Sequence, residues 1–253
     1  MKKVFGSFLS LTLVLILFGN VSFATPVEVS KDTEVVLYEA EQITDIDLLL
    51  ERAKNGISDL ESTSTENQKM TLKSENNNSL IEKSIVNQKL EEEVELYSTT
   101  QLLKVVQKGE DVTETYSTTS IGILSAGSLY GTTDILDGGV VAYSTVNFDR
   151  TPNGGLYVYK LISVTGGWNR HDSTLSLSNR IVRYAISGNK NGGGFASHSS
   201  GDIAETVNAF GYAAPTTWSS VESSSMIMGV TTEVTITRGS QQWLLRHPNN
   251  IQF

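Results

Sequence analysis

The chain of 253 residues carries 28 acidic and 19 basic side chains, a formal net charge of −9, and no cysteine. An acidic surface without clustered Lys or Arg excludes nucleic acid as a partner, because that binding is driven by neutralising phosphates, and it disfavours anionic membrane surfaces for the same reason. The lack of thiols excludes disulfide bracing, cysteine-ligated zinc and a lipid on an N-terminal cysteine.

Lys2 and Lys3 precede an apolar and small-residue run over residues 4–18, followed by the helix breakers Gly19 and Asn20 and by the small residues Ser22 and Ala24 around Phe23. This is the pattern of a signal peptide, with cleavage expected between Ala24 and Thr25 and the remainder secreted. About fifteen apolar residues fall short of the roughly twenty that a spanning helix needs, so a membrane anchor is not expected. The tail, ending Asn249, Asn250, Ile251, Gln252, Phe253, has no wall-sorting pattern.

Charge then divides the chain. Residues 25–97 hold 17 acidic and 7 basic side chains, whereas residues 98–253 hold 11 and 10. The first stretch reads as an acidic region, partly helical and partly linker. Thr44 followed by Asp47 has capping-box spacing, and Ile46, Leu49, Leu50, Ala53, Ile57 and Leu60 recur at helical intervals, with Asn55 and Gly56 to end or kink the helix. A second helix is expected from Ser79, with Glu82 at the box position and Ile81, Ile85, Val86, Leu90 and Val94 on its apolar stripe. Residues 62–78, rich in Ser, Thr, Glu, Lys and Asn, read as a linker that cannot repay the entropy of ordering.

From residue 98 the texture becomes β-branched and aromatic runs between Gly, Asn and Asp turns. Runs 102–106 and 112–117 flank a turn at 108–111. Runs 140–148 and 156–165 flank a turn over 149–155, and 175–186 forms a further strand. Runs 230–237 and 241–246 meet through Arg238, Gly239 and Ser240. The expected fold class is mainly β, an antiparallel β-sandwich or jelly roll over residues 98–253, with no internal repeat.

Tyr157 and Tyr159, then Val164, Thr165, Gly166, Gly167 and Trp168, then Ala214, Pro215, Thr216, Thr217 and Trp218, then Arg238 to Trp243 and Asn249–Asn250 follow one another in an order that resembles a group of uncharacterised exported proteins of Gram-positive bacteria. The resemblance covers roughly residues 94–253. It implies secretion and a β-rich C-terminal domain, and it implies no activity.

Catalytic chemistry finds little purchase. A hydrolase triad would pair His171 or His198 with a serine and with Asp172 or Asp202, but no G-x-S-x-G elbow singles out a nucleophile, and His171, His198 and His247 read as exposed loop residues. No catalytic residue is assigned. Metal sites are not expected: the histidines lack zinc spacing, and Asp134 and Asp137 read as turn residues rather than calcium ligands. No cofactor is implied. A two-carboxylate glycosidase could draw on Asp149, Asp172, Glu205, Glu222 and Glu233, whose separations sequence does not give. Residues 113–133 have the Ser/Thr/Gly texture of an inserting toxin hairpin, but their alternation breaks at Ile123 and Leu124, which favours an ordinary strand and loop.

The aromatics carry the best functional signal. Trp243, inside an alternating strand, reads as core. Trp168 and Trp218, beside Gly-Gly and Pro, read as exposed turn residues on which a sugar ring could stack, with Tyr157 and Tyr159 nearby. The expectation is a secreted, non-enzymatic binding or structural module at the envelope or beyond it, with cell-wall polysaccharide or an extracellular protein as partner. The alternatives are a secreted polysaccharide hydrolase and a membrane-active toxin.

Overall fold

A computed structural model of the chain describes residues 33–60, 68–73, 91–125 and 138–252. The signal peptide with its cleavage site, most of the second expected helix, and Asp134 and Asp137 lie outside these residues. The expected mainly β, antiparallel architecture is what forms, as two packed sheets and one helix.

Four long strands form a meander at the centre of the first sheet: β3 (Glu91–Lys108), β4 (Asp111–Ser125), β5 (Gly138–Asn153) and β6 (Leu156–Arg170). One edge is covered by β1 (Glu34–Glu39) and β2 (Gln68–Lys73), which pair with the two ends of β3. The other edge carries β10 (Ala209–Ala213) and β11 (Val221–Glu222), both paired with β6. The second sheet contains β7 (Ser176–Asn189), β8 (Phe195–Ser199), β9 (Ile203–Glu205), β12 (Ile227–Arg238) and β13 (Gln241–Gln252), with β12 between β7 and β13.

Turn chemistry explains the meander. The turn expected over 149–155 contracts to Gly154–Gly155, with φ of 57° and 90°, the two left-handed residues of a type I′ hairpin. The strands therefore run through Asp149 and Pro152, farther than expected. β13 shows strict alternation, with Trp243, Leu245, His247, Asn249 and Ile251 turned inward. In β6 the alternation shifts phase because Ile162 is an extra residue opposite the Asn147–Phe148 junction, so that Leu161 and Val164 both reach the core. Ala214 N–H takes the bulged Ile162 carbonyl.

The described parts of the acidic segment pack or pair with this body. The expected boundary at 97/98 falls inside β3, and the end of the expected second helix, Glu91 to Val94, is strand that pairs with β2 and β4. Part of the expected linker, Gln68–Lys73, is β2 itself: pairing with β3 supplies the ladder that composition alone did not promise. Helix α1 (Ile46–Lys54) forms as expected but is capped one residue later, by Asp45, whose carboxylate accepts from Asp47 and Leu48 N–H. Its end is a Schellman motif, Ile57 N–H to Arg52 C=O and Gly56 N–H to Ala53 C=O, with Gly56 at φ 66°. Leu49 and Leu50 are buried against Ile121, Ile123 and Val141 on the outer face of the first sheet.

Residues 40–60 thus form a strap across that face. Gln42 donates to Ser117 Oγ, Ile43 and Gln101 exchange hydrogen bonds, and Thr99 Oγ1 donates to Ile57 C=O. Between β1 and β2 the edge of β3 is closed by Asp59, whose N–H meets Thr100 C=O while its carboxylate accepts from Leu102 N–H.

Between the sheets the core is apolar but crossed by a polar seam. Ser120 Oγ lies 3.0 Å from His247 Nε2, and Asn249 Nδ2 donates to the carbonyls of Thr118 and Ser144. His247, expected in an exposed loop, is an inward residue of β13 and fully buried. Burial lowers its pKa from 6.5 to about 4. The unfolded chain therefore takes up a proton below 6.5 that the folded chain refuses, and stability falls as pH drops from there towards 4, by up to about 3 kcal/mol at ~1.4 kcal/mol per pH unit. In urea denaturation, the excess stability of the native chain over His247→Gln is expected to shrink by about 2 kcal/mol between roughly pH 7 and pH 4.5. A gap that stays constant with pH would contradict the buried neutral imidazole.

Candidate functional site

The Thr165-Gly166-Gly167-Trp168 stretch is not a turn but the last part of β6. Its glycines are required by close approach. A Cβ on Gly166 would stand 2.4 Å from Tyr143 C=O and 2.6 Å from the Phe210 ring. One on Gly167 would stand 2.4 Å from Asn208 C=O, the group that accepts a 2.9 Å hydrogen bond from Trp168 N–H. The two glycines thus bring Phe210 and Asn208 onto the strand, and Phe210 packs on Trp168 with ring centroids 5.7 Å apart.

Trp168 is consequently buried, with no exposed ring face, and the expectation of an exposed stacking platform there is corrected. The other expected ligand residues do not gather around it. Tyr159 is also buried, in a ladder with Phe148 and Tyr116. Tyr157 is 38% exposed, but the Arg150 guanidinium lies 4.3 Å from its ring centroid. The same guanidinium stands 4.9 Å from Tyr116 and pairs with Glu114, so the group is a packed strut. Tyr157 and Trp168 are separated by eleven residues of one strand, about 35 Å at ~3.4 Å per residue.

Trp218 is half-buried, stacked on His198 at 5.5 Å and in tilted contact with Tyr184 at 5.4 Å. Its neighbour Ser219 donates its N–H to His198 Nε2, which fixes that ring as the acceptor. A run of ring contacts through Tyr184, Tyr212 and Phe210 joins Trp218 to Trp168. Trp243 is core, as expected.

The expected catalytic candidates do not assemble. Among the described residues no histidine hydrogen-bonds a carboxylate, and the one serine hydroxyl bonded to a histidine, Ser120 to His247, is enclosed. Asp149 accepts from Thr115, Glu233 pairs with Arg246, and Glu205 accepts from Tyr212 Oη, whose pKa that bond raises to about 12. Asp172 is held below the usual carboxylate range by the hydroxyl and N–H of Thr174, with Arg238 alongside. No two of those four carboxylates share a partner. Among the described residues no three His, Asp or Glu side chains are grouped to hold a metal.

What the structure does assemble is a recess of about 610 Å³ where β6 leaves the first sheet and β7 starts the second. Trp168, Asn169, Arg170, His171, Ser176, Leu177, Arg180 and Asn208 line it, with no carboxylate among them. One arm of Arg170 is held by Leu175 C=O at 2.8 Å. Two buried donors in its walls, Trp168 Nε1 and Arg180 Nε, meet no acceptor. Sequence reasoning placed only Trp168 in a binding role. The remaining donors are scattered polar residues whose convergence depends on the crossover between sheets.

A second groove of about 670 Å³ lies on the outer face near the β5–β6 turn. It mixes Lys104 and Lys108 with Glu34, Asp111 and Asp149, so its charges offset one another.

Comparison with family models, with curated proteins and with solved structures finds no match to this chain. Among the described residues no helix is long and apolar enough to cross a membrane.

The close approach at the glycines makes a direct test. Gly166→Ala should destabilise the protein by about 1–3 kcal/mol, since a backbone carbonyl and a packed ring must both give way. Thermal unfolding would measure it, and an unchanged midpoint would show that Phe210 does not rest on the strand. Trp218→Ala should likewise lower the midpoint, because its ring packs on the core rather than standing free.

Proposed function

We propose that this chain is a secreted, non-enzymatic module that binds a hydroxyl-rich ligand, of the kind cell-wall polysaccharide offers, in the recess between β6 and β7. The observation that carries the reading is the lining itself: two guanidinium groups, two side-chain amides, a hydroxyl and an imidazole, with no carboxylate. Sugars are recognised by such planar polar groups, with amides and guanidinium groups bridging adjacent hydroxyls. Glycoside hydrolysis needs two carboxylates flanking the bond, so the lining supports binding over the hydrolase alternative. The signal-peptide pattern of residues 1–24 supports a site of action outside the cell.

The test is co-sedimentation of the secreted protein with purified wall sacculi and insoluble polysaccharides, with soluble sugar measured in parallel. Binding without time-dependent sugar release is the expected result. Asn208→Ala should weaken it several-fold while leaving thermal stability near that of the native chain, because the Asn208 group used in the fold is its backbone carbonyl. Sugar release abolished by substitution of one Asp, Glu or His would establish the hydrolase instead.

A further inference from the structure

Resting on the binding role proposed above, we infer that the recess is selective for acidic saccharides, holding a carboxylate or phosphate oxyanion against Arg180. The chain has a net charge of −9, yet the recess is lined by Arg170 and Arg180 with no acidic side chain to offset them. The contrast with the rest of the molecule is marked. Arg150, Arg183, Arg238 and Arg246 each form an ion pair with a nearby Asp or Glu. Arg180 has no ion pair or side-chain hydrogen bond among the described residues, and its Nε is buried without an acceptor. Asp172, the acidic residue next along from His171, is already committed to Thr174 and Arg238.

A planar guanidinium has the geometry to grip an oxyanion with two parallel hydrogen bonds. Arg170 and the amide-bearing residues Asn169 and Asn208 line the same recess. A neutral sugar would leave the charge uncompensated, whereas a uronic acid or a sugar phosphate brings the acceptor that the walls lack. Arg180 sits on β7 opposite Glu205 of β9, whose carboxylate accepts from Tyr212 Oη and forms no ion pair with Arg180.

The experiment measures binding of the full secreted chain to polygalacturonate, to a glycerol-phosphate polymer and to neutral dextran. Binding to at least one acidic polymer, at least tenfold tighter than to dextran and weakened by raising salt from about 50 to 500 mM, is expected. Arg180→Gln should remove that tenfold preference with an unchanged melting temperature, and Arg180→Lys should restore part of it. Competition by galacturonate or by inorganic phosphate tells which oxyanion the recess takes. Equal binding of dextran and acidic polymers, unaffected by Arg180→Gln, overturns the oxyanion assignment and leaves the saccharide-binding role standing. Failure to bind any of the three overturns both.

Discussion

The two sheets are keyed to each other by the hydrogen bonds that Asn249 and His247 make across the sandwich. Asn249 reaches the carbonyls of Thr118 on β4 and Ser144 on β5, and His247 meets Ser120 two residues along β4. Apolar contacts alone tolerate sliding, because one methyl group serves nearly as well as the next. A buried polar group left without its partner costs about 1–3 kcal/mol, so a shift of either sheet would strand several at once. Gly122, on the same face as Ser120, completes the fit: a Cβ there would stand 3.0 Å from the imidazole. The position of β13 against β4 and β5 in turn sets where β12 and then β7 lie, and with β7 the wall of the recess that carries Arg180.

The outer face of the first sheet poses the opposite problem. Thr99, Thr119, Thr145 and Thr165 stand side by side across β3 to β6, and Ile121, Ile123 and Val141 lie just beyond them. A face with both textures suits neither open solvent nor a purely apolar cover. The strap answers both parts, with Leu49 and Leu50 of α1 over the apolar patch and Gln42, Ile43 and Ile57 hydrogen-bonded to the polar band. Thr119 and Thr145 also bond each other at 2.8 Å, which lets their hydroxyls be buried. Residues 40–60 are therefore a structural layer, with Glu41, Asp45, Asp47, Glu51 and Asp59 on the solvent side.

How much of this the chain discloses in advance depends on whether the signal is local. Alternation in residues 241–246 announced the inward Trp243, and Gly154–Gly155 and Gly239 announced their hairpins, because each signal needs only neighbouring residues. The strand at residues 68–73 was hidden, since its composition suits a linker and only pairing with β3 makes it a strand. Trp168 was misplaced for a related reason. Two consecutive glycines are most often a turn, and here they are cleared for Phe210 and Asn208, residues some forty positions away. His247 looked like a loop residue beside Pro248 and two asparagines, yet β13 continues to Gln252 and turns it inward. Of the site, the indole was legible as a group worth attention. Arg180 was not, because what distinguishes it is the lack of a partner, and that exists only once every other arginine has found one.

The place of the recess follows from the topology. The chain can leave one sheet for the other only where a ladder ends, and residues 171–175 make that passage through a turn in which Asp172 accepts from Thr174 and pairs with Arg238 of β12. Polar groups from both sheets come together at that passage. A loop would present them too, but with a larger ordering cost on binding. Asn169 and Arg170 are instead strand residues of β6, and Leu177 and Arg180 of β7, while Trp168 N–H fixes the carbonyl of Asn208. Even the turn is tied to both sheets, since His171 and Asp172 N–H groups reach Gly139 C=O on β5. The donors are thus held in position before any ligand arrives.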